Sequence, residues 1–292
     1  MAKKLLIDFN NLAIRTLFAS HNHDWATEGF SFHKHLVLNT LISDIKKFDP
    51  DEVILAVDDI RNWRKKVYPE YKANRKIQRE ALDFDWDAYF NHINIFTESL
   101  KLLPFKILTV PYTEADDIIA VLSKYFINTE NIIVSSDRDY IQLLQYKQNK
   151  LWNPIDKKFI ICDSPLKALE IKKIIGDSGD NVPAIKPRMG EKTAIKLLET
   201  GKFQELLDSD KQIKENYIRN SRMISLSEIP DIIQKEIVKR YQEYQMSETV
   251  SCFNWLSSHG LRALMDKAQQ IEMLFDKFRK PLPRPQFCKV II

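Results

Sequence analysis

The 292-residue sequence predicts an α/β fold, a mostly parallel central sheet with helices on both faces. Two observations carry this expectation. Short apolar runs of strand length alternate with stretches of helical periodicity, the rhythm of β-α-β units joined by right-handed crossovers. Two of the runs, Val53-Ile54-Leu55-Ala56-Val57 and Ile132-Ile133-Val134, are apolar at every position, as strands buried on both faces are.

In order, residues 4–7 are expected as a strand ending at Asp8, followed by a helical pattern through Leu12, Leu17 and Phe18. A polar loop at about 21–29 precedes a helix over 32–48. The strand at 53–57 ends at Asp58 and Asp59, and a basic segment follows. A helix is expected over 86–103 and a strand over 105–110. Glu114-Ala115-Asp116-Asp117 then opens a helix that continues through Ile118, Ile119, Val121 and Leu122. The strand at 132–134 runs into Ser135-Ser136 and Asp137-Arg138-Asp139. Past Leu151 the character changes: a closing strand near 159–161, a helix over 164–175, and the loop Gly176-Asp177-Ser178-Gly179-Asp180-Asn181. Gly190-Glu191-Lys192-Thr193-Ala194 opens another helix. From Lys202 onward the chain reads as helical, with amphipathic spacing over 231–245 and 267–278. The expected division is 1–175 as the α/β core, with its basic segment at about 60–85, then 176–279 as a helical part, and 280–292 as a flexible tail.

Composition narrows the function. Hydrophobic content of 44% and charged content of 29% describe a soluble globular chain. No apolar run approaches the roughly 20 residues of a membrane span, and Met1-Ala2-Lys3-Lys4 opens no signal peptide. Cys162, Cys252 and Cys288 are odd in number and far apart, which points to reduced thiols and a cytoplasmic setting. His21/His23 and His33/His35 have no further metal-type partners nearby in sequence and are read as loop and helix-start residues. The six glycines form no dinucleotide or P-loop fingerprint. No serine, cysteine or histidine nucleophile stands out.

The charge is unevenly spread. Between Arg61 and Glu80, eight cations (Arg61, Arg64, Lys65, Lys66, Lys72, Arg75, Lys76, Arg79) face two acids, so this segment carries +6 and the rest of the chain −2. Trp63, Tyr68 and Tyr71 interleave with these cations, as side chains that stack on bases do. A basic segment beside an acidic remainder suits an anionic polymer held next to a cation-dependent centre.

The acids supply that centre. Ligands of parallel sheets bind at the carboxyl ends of the strands. Asp8, Asp58, Asp137 and Asp139 each fall just past such an end, and Glu114, Asp116 and Asp117 open a helix just after one. Asp177 and Asp180 add two carboxylates three residues apart. Like charges so gathered cannot all ionise cheaply, and hard divalent cations, magnesium or manganese, are their natural partners. Glycine at the helix start after residue 189, beside Lys186, Arg188, Lys192 and Thr193, suits a phosphate. Lys72 and Arg75, at i and i+3, are expected on one helix face reaching one phosphate.

The succession Asp8, Asp58, Tyr71-Lys72-Ala73-Asn74-Arg75, Glu114-Ala115-Asp116-Asp117, Ser136-Asp137-Arg138-Asp139 and Gly176-Asp177-Ser178-Gly179-Asp180-Asn181 resembles the 5′-nuclease (flap endonuclease) family. The similarity runs over nearly the whole chain, Trp63-Arg64-Lys65 and Ile229-Pro230-Asp231 included. The resemblance implies a PIN-like 5′-nuclease fold with a helical arch at the basic segment. It implies a metal-dependent 5′→3′ exonuclease or flap endonuclease that hydrolyses phosphodiesters at 5′ ends of RNA·DNA and DNA·DNA duplexes, removing primers and flaps in replication. Two magnesium ions, with manganese as substitute, would be held by Asp8, Asp58, Glu114, Asp116, Asp117, Asp137, Asp139, Asp177 and Asp180, some through water. Asp8, Asp58, Glu114, Asp116, Lys72 and Arg75 would carry catalysis, Lys72 and Arg75 from the arch over the scissile phosphate. Tyr71 would stack near frayed terminal bases, and Arg64 and Lys65 would contact nucleic acid. The turn around Gly190 would be a helix-hairpin-helix-like grip on the duplex, where relatives also hold potassium.

Two positions depart from the family. Arg138 stands where relatives have glycine, and Arg188-Met189-Gly190 replaces a Gly-x-Gly turn, which removes the basis for a potassium site. Two other readings fit parts of the pattern: a PIN-type single-strand ribonuclease, which would lack the arch and the 176–201 element, and a non-catalytic nucleic-acid-binding relative, which gains nothing from a repulsive acidic edge. The chain is expected to act as a monomer without membrane contact. Its tail at 280–292 would dock a single-strand-binding protein or sliding clamp.

Overall fold

The computed structural model describes residues 1–20 and 30–279; the loop expected at 21–29 and the tail at 280–292 lie outside them. Six strands form one sheet: β1 (Lys3–Asp8), β2 (Glu52–Val57), β3 (Lys106–Thr109), β4 (Glu130–Val134), β5 (Asn149–Asn153) and β6 (Lys158–Ile160). Their spatial order is β3-β2-β1-β4-β5-β6, and only the β5–β6 pair is antiparallel. The chain builds outward from β1 through β2 to β3, then crosses back to place β4 on the other side of β1. The carboxyl end of β1, where Asp8 sits, is therefore the point at which strand order reverses, and there the crossovers leave a crevice.

Alternation of side chains along the strands divides the core in two. Leu5, Ile7, Val53, Leu55, Ile132 and Val134 face one side, against Phe9 and Leu12 of α1 (Phe9–Ala19), Val37 and Leu41 of α2 (Ser31–Phe48) and Phe96 of the helix Trp86–Leu100. Leu6, Ile54, Ala56 and Ile133 face the other, against Ile118, Ile119 and Leu122 of the helix Ala115–Tyr125 and Ile237 of the helix Asp231–Gln242. In chain order the remaining labels are α3 (Trp63–Val67), α4 (Asn74–Glu80), α5 (Trp86–Leu100), α6 (Ala115–Tyr125), α7 (Pro165–Ile175), α8 (Glu191–Glu199), α9 (Lys202–Ser209), α10 (Lys211–Ile224), α11 (Asp231–Gln242), α12 (Cys252–Ser258), α13 (Arg262–Met265) and α14 (Ala268–Arg279).

The expected elements are present, with differences that have local causes. α5 stops at Leu100, short of the expected 103, because Pro104 cannot extend a helix and bars its predecessor from helical backbone. β5 was not expected: Asn149-Lys150-Leu151-Trp152-Asn153 lacks a continuous apolar run. It is held beside β4 with the help of Asn131, whose Nδ2 donates to Asn149 Oδ1 at 2.9 Å. The carboxyl-terminal helices fold back onto the sheet, where Trp255, Ile271 and Phe275 join the core of Leu5 and Ile7. Residues 174–213 hold a separate small core of Ile174, Ile185, Met189, Ala194, Leu207 and Ile213. His33 is buried in α2, its Nδ1 3.0 Å from His92 Nε2, and is a core residue.

Candidate active site

Asp8 ends β1 and caps α1, accepting from Asn11 N at 3.0 Å through Oδ1. Ser135 Oγ and Tyr140 OH both donate to its Oδ2 at 3.1 Å. These two hydroxyls fix the carboxylate, and nothing in the sequence pattern marked them. Asp58 follows β2; its N–H donates to Asn10 Oδ1 at 3.0 Å, and its Oδ1 accepts from Ala115 N at 2.7 Å. That second bond fastens the end of β2 to the start of α6, which carries Glu114 as its N-cap.

Asp8 and Asp58 lie at the carboxyl ends of neighbouring parallel strands and Asp58 is tied to the start of α6, so these carboxylates lie at one edge of the sheet. Burial, reinforced by neighbouring Glu114 and Asp8, pushes Asp58 up to about 7. Burial, with Asp137 adding to it, pushes Asp8 up to about 6. Burial also raises Asp116 far above the ordinary carboxylate range. Glu114 moves the other way: burial opposes its charge, but Lys72 and Arg64 outweigh that and hold it ionised.

The cations in front of Glu114, Asp116 and Asp117 come from the chain itself. Arg64 is completely buried. Its Nη1 donates to Glu114 Oε2 and Asp117 Oδ2, each at 3.1 Å, and Nη2 lies 2.8 Å from Asp117 Oδ1 without hydrogen-bond alignment. Nε donates to Met223 O, which ties the guanidinium to α10. Arg64 is therefore no contact for nucleic acid; it is the fixed counter-ion of the acid cluster. Asp117 is likewise fully buried and accepts from Trp63 Nε1 and Glu114 N, both at 3.1 Å. It caps α6 and anchors Arg64.

The basic segment contacts the Gly176 loop. Asn74 Nδ2 donates to Ser178 O, Asn181 Nδ2 to Glu70 O, and Arg75 Nη2 to Asp180 Oδ1 at 2.8 Å. Tyr71 is 2% exposed, its OH 3.0 Å from both Glu114 Oε2 and Asp180 Oδ2. Its ring cannot stack on a base from there; it is a wall of the site. Lys72 has φ of 57°, a left-handed backbone that costs a non-glycine residue of order 1–3 kcal/mol. It lies in the turn before α4 and so does not share a helix with Arg75, contrary to the i, i+3 expectation. Both still meet at Asp180: Lys72 Nζ bonds Glu114 and lies 3.7 Å from Asp180 Oδ2. Lys65 is exposed.

A second group of acids stands beside the first. Asp139, Asp177 and Asp180 present oxygens within 4.8 Å of one another, and Asp137 Oδ1 accepts from Asp139 N at 2.8 Å. Lys172 of α7, which sequence reasoning passed over, bonds Asp139 and lies 2.6 Å from Asp177 Oδ2. Gly176 makes this loop possible. Its φ of 76° suits glycine, and a Cβ there would lie 2.3 Å from Val182 O. Further along, Gly190 caps α8 with open space around it, and Arg188, Lys192 and Thr193 are exposed beside half-buried Lys186.

Comparison with known proteins agrees with this geometry. The family described as 5′-3′ exonuclease, N-terminal resolvase-like domain, matches residues 3–170. The chain belongs to the 5′-3′ exonuclease family. Ribonuclease H of Enterobacteria phage T4 is 29% identical, with 91% of this chain and 94% of that protein aligned. The flap endonuclease Xni of Shewanella pealeana is 30% identical over 68% of this chain and 76% of its own. Among solved structures, T5 5′-exonuclease with bound zinc superposes with a TM-score of 0.65 at 20% identity, covering 82% of this chain and 98% of that one. The catalytic core of Rad2 in complex with DNA gives 0.51 at 14% identity over 95% and 93%. At those identities the likeness is one of fold. As a family member the chain is a nuclease, a phosphodiester hydrolase of the 5′→3′ exonuclease and flap endonuclease kind. No helix among the described residues is long and apolar enough to cross a membrane.

The residues present fit a divalent cation. Asp116 Oδ1 is buried with no hydrogen-bond partner, its nearest cation being Arg64 Nη1 at 3.7 Å. A buried, unpartnered carboxylate oxygen among other carboxylates has the chemistry of a hard-cation ligand.

Proposed function

We propose that this chain removes RNA primers and 5′ flaps, hydrolysing phosphodiesters at the 5′ ends of RNA·DNA and DNA·DNA duplexes with two magnesium ions, which manganese can replace. The single observation that carries this is the buried Asp116 oxygen without a hydrogen-bond partner, one residue from the Ala115 N–H that Asp58 holds. Asp8, Asp58, Glu114 and Asp116 would hold one ion. Asp137, Asp139, Asp177 and Asp180 would contribute to the second. When bound, such ions supply an activated water and neutralise charge on the phosphoryl and leaving oxygens.

The chain's own groups do the rest. Ser135 and Tyr140 orient Asp8, and Lys72 and Arg64 keep Glu114 ionised. Lys72 is raised and firmly cationic: burial lowers it, but Glu114 and Asp180 more than compensate. With a phosphate in the crevice, Lys72 and Arg75 exchange Asp180 for phosphoryl oxygens and stabilise charge that develops in the transition state. Exposed Lys65 and the Gly190 turn, with Lys186, Arg188, Lys192 and Thr193, would hold the duplex backbone. In this reading residues 1–175 cut and 176–279 grip, the protein acts as a cytoplasmic monomer, and the tail at 280–292 docks a replication partner.

Replacing Asp116 by Asn tests the reading. The expected outcome is loss of magnesium-dependent release of label from a 5′-labelled nicked RNA·DNA hybrid, with the fold intact by circular dichroism. Normal turnover in the variant would refute the assignment.

A further inference from the structure

The chain supplies the cations of both acid groups: Arg64 and Lys72 for the Glu114 group, Lys172 for Asp139 and Asp177. Arg64 is wholly enclosed and tied to Met223 O, so it has no route out of its place. Lys172 has a side chain that is 28% exposed, on a flexible four-carbon stem, and spans Asp139 and Asp177. Beside it lies a cavity of about 150 Å³, lined by Arg138, Asp139, Gln142, Leu169 and Lys172 itself. Against the ~30 Å³ of a water molecule, this is room for the ammonium and its last methylenes.

The two carboxylates that Lys172 joins are two of the three whose oxygens converge within 4.8 Å. A divalent ion bound there would draw on the same two carboxylates. An ammonium and a metal ion cannot share them, since both occupy the space between the carboxylates and both are positive. The third acid, Asp180, is held by Arg75 on Oδ1 and by Tyr71 OH on Oδ2, and does not depend on Lys172.

We propose that the Lys172 ammonium is an exchangeable occupant of the second ion position, displaced toward the adjoining cavity when a divalent ion enters. The inference rests on the metal reading above and deepens it. Lys172 keeps the Asp139–Asp177 pair neutralised in the metal-free protein, and it weakens the second ion by competing for its ligands. The second position therefore fills only after the lysine has withdrawn.

The test is calorimetric titration of manganese, without nucleic acid, into the full-length protein and into Lys172→Met and Lys172→Gln. Both variants remove the charge, and the glutamine keeps a polar end should the methionine impair folding. Tightening of the weaker manganese site by about tenfold, equivalent to ~1.4 kcal/mol, supports the proposal, provided Asp177→Asn added to either variant abolishes the gain. Lys172→Arg, which keeps the charge, should show no gain. Unchanged or weaker second-ion affinity in both neutral variants, or a gain that survives Asp177→Asn, overturns the proposal. Absence of manganese binding by the wild-type protein would overturn the metal reading itself.

Discussion

Arg64 neutralises three acids from a completely buried position, and removing it should be costly. Breaking a buried ion pair by deleting one partner costs about 3–5 kcal/mol, because the remaining charge is left without compensation. Arg64→Met is therefore expected to lower unfolding free energy in urea by that amount when measured in chelator. A loss under about 1 kcal/mol would show that Arg64 is not the counter-ion that the Glu114 cluster needs. The raised carboxyls make a second prediction. Ion binding requires ionised ligands, and in the metal-free protein Asp58 titrates at about 7 and Asp8 at about 6. Protons compete below these values, so divalent affinity should climb as pH rises through 6 to 7 and level off above, in titrations at fixed ionic strength. A flat profile from pH 5.5 to 8 would contradict it. At this scale the sequence was only partly legible. It identified the acids, because strand-end carboxylates follow from the β-α-β pattern. It could not tell which cations of the Arg61–Glu80 segment turn inward. Arg64, Tyr71 and Asp117 carry the residue types of a nucleic-acid or metal contact, and burial alone assigns them to the frame of the site.

Two glycines at the level of elements carry opposite expectations. Gly176 sits at φ 76° and ψ −167°, a region essentially confined to glycine, and closes the loop through paired hydrogen bonds between Asp177 and Val182. Gly176→Ala should destabilise the protein by at least about 2 kcal/mol, from backbone strain and the overlap with Val182 O. Gly190 has φ of −98° and nothing within 4 Å of the place a Cβ would take. Gly190→Ala should leave the melting temperature within about 2 °C, the scale of ~0.5–1 kcal/mol in a chain of this size, and weaken duplex binding by blocking approach of a phosphate. Equal loss of stability in both would refute the distinction. Most elements could be read from apolar periodicity, since β1, β2 and β4 are buried on both faces. β5 could not, because Asn149 at its start is satisfied by Asn131 on a neighbouring strand, a tertiary partner that no local pattern announces.

For the whole molecule, the decisive fact is topological. β1 lies between the strands that precede the crossover and those that follow it, so acids from residues 8, 58, 114–116 and 137–139 reach one crevice although more than a hundred positions separate the first from the last. The Gly176 loop and the basic segment then lock together across that crevice through Tyr71, Asn74, Arg75 and Asp180. The most direct measurement of the account is cleavage of a 5′-labelled flap, a nicked RNA·DNA hybrid and a single strand, in magnesium and in chelator, by the wild-type protein and Asp8→Asn. The account predicts label released as short 5′ products from the flap and the hybrid in magnesium alone, and none from the variant. Cleavage that persists in chelator, or undiminished cleavage by Asp8→Asn, would contradict it.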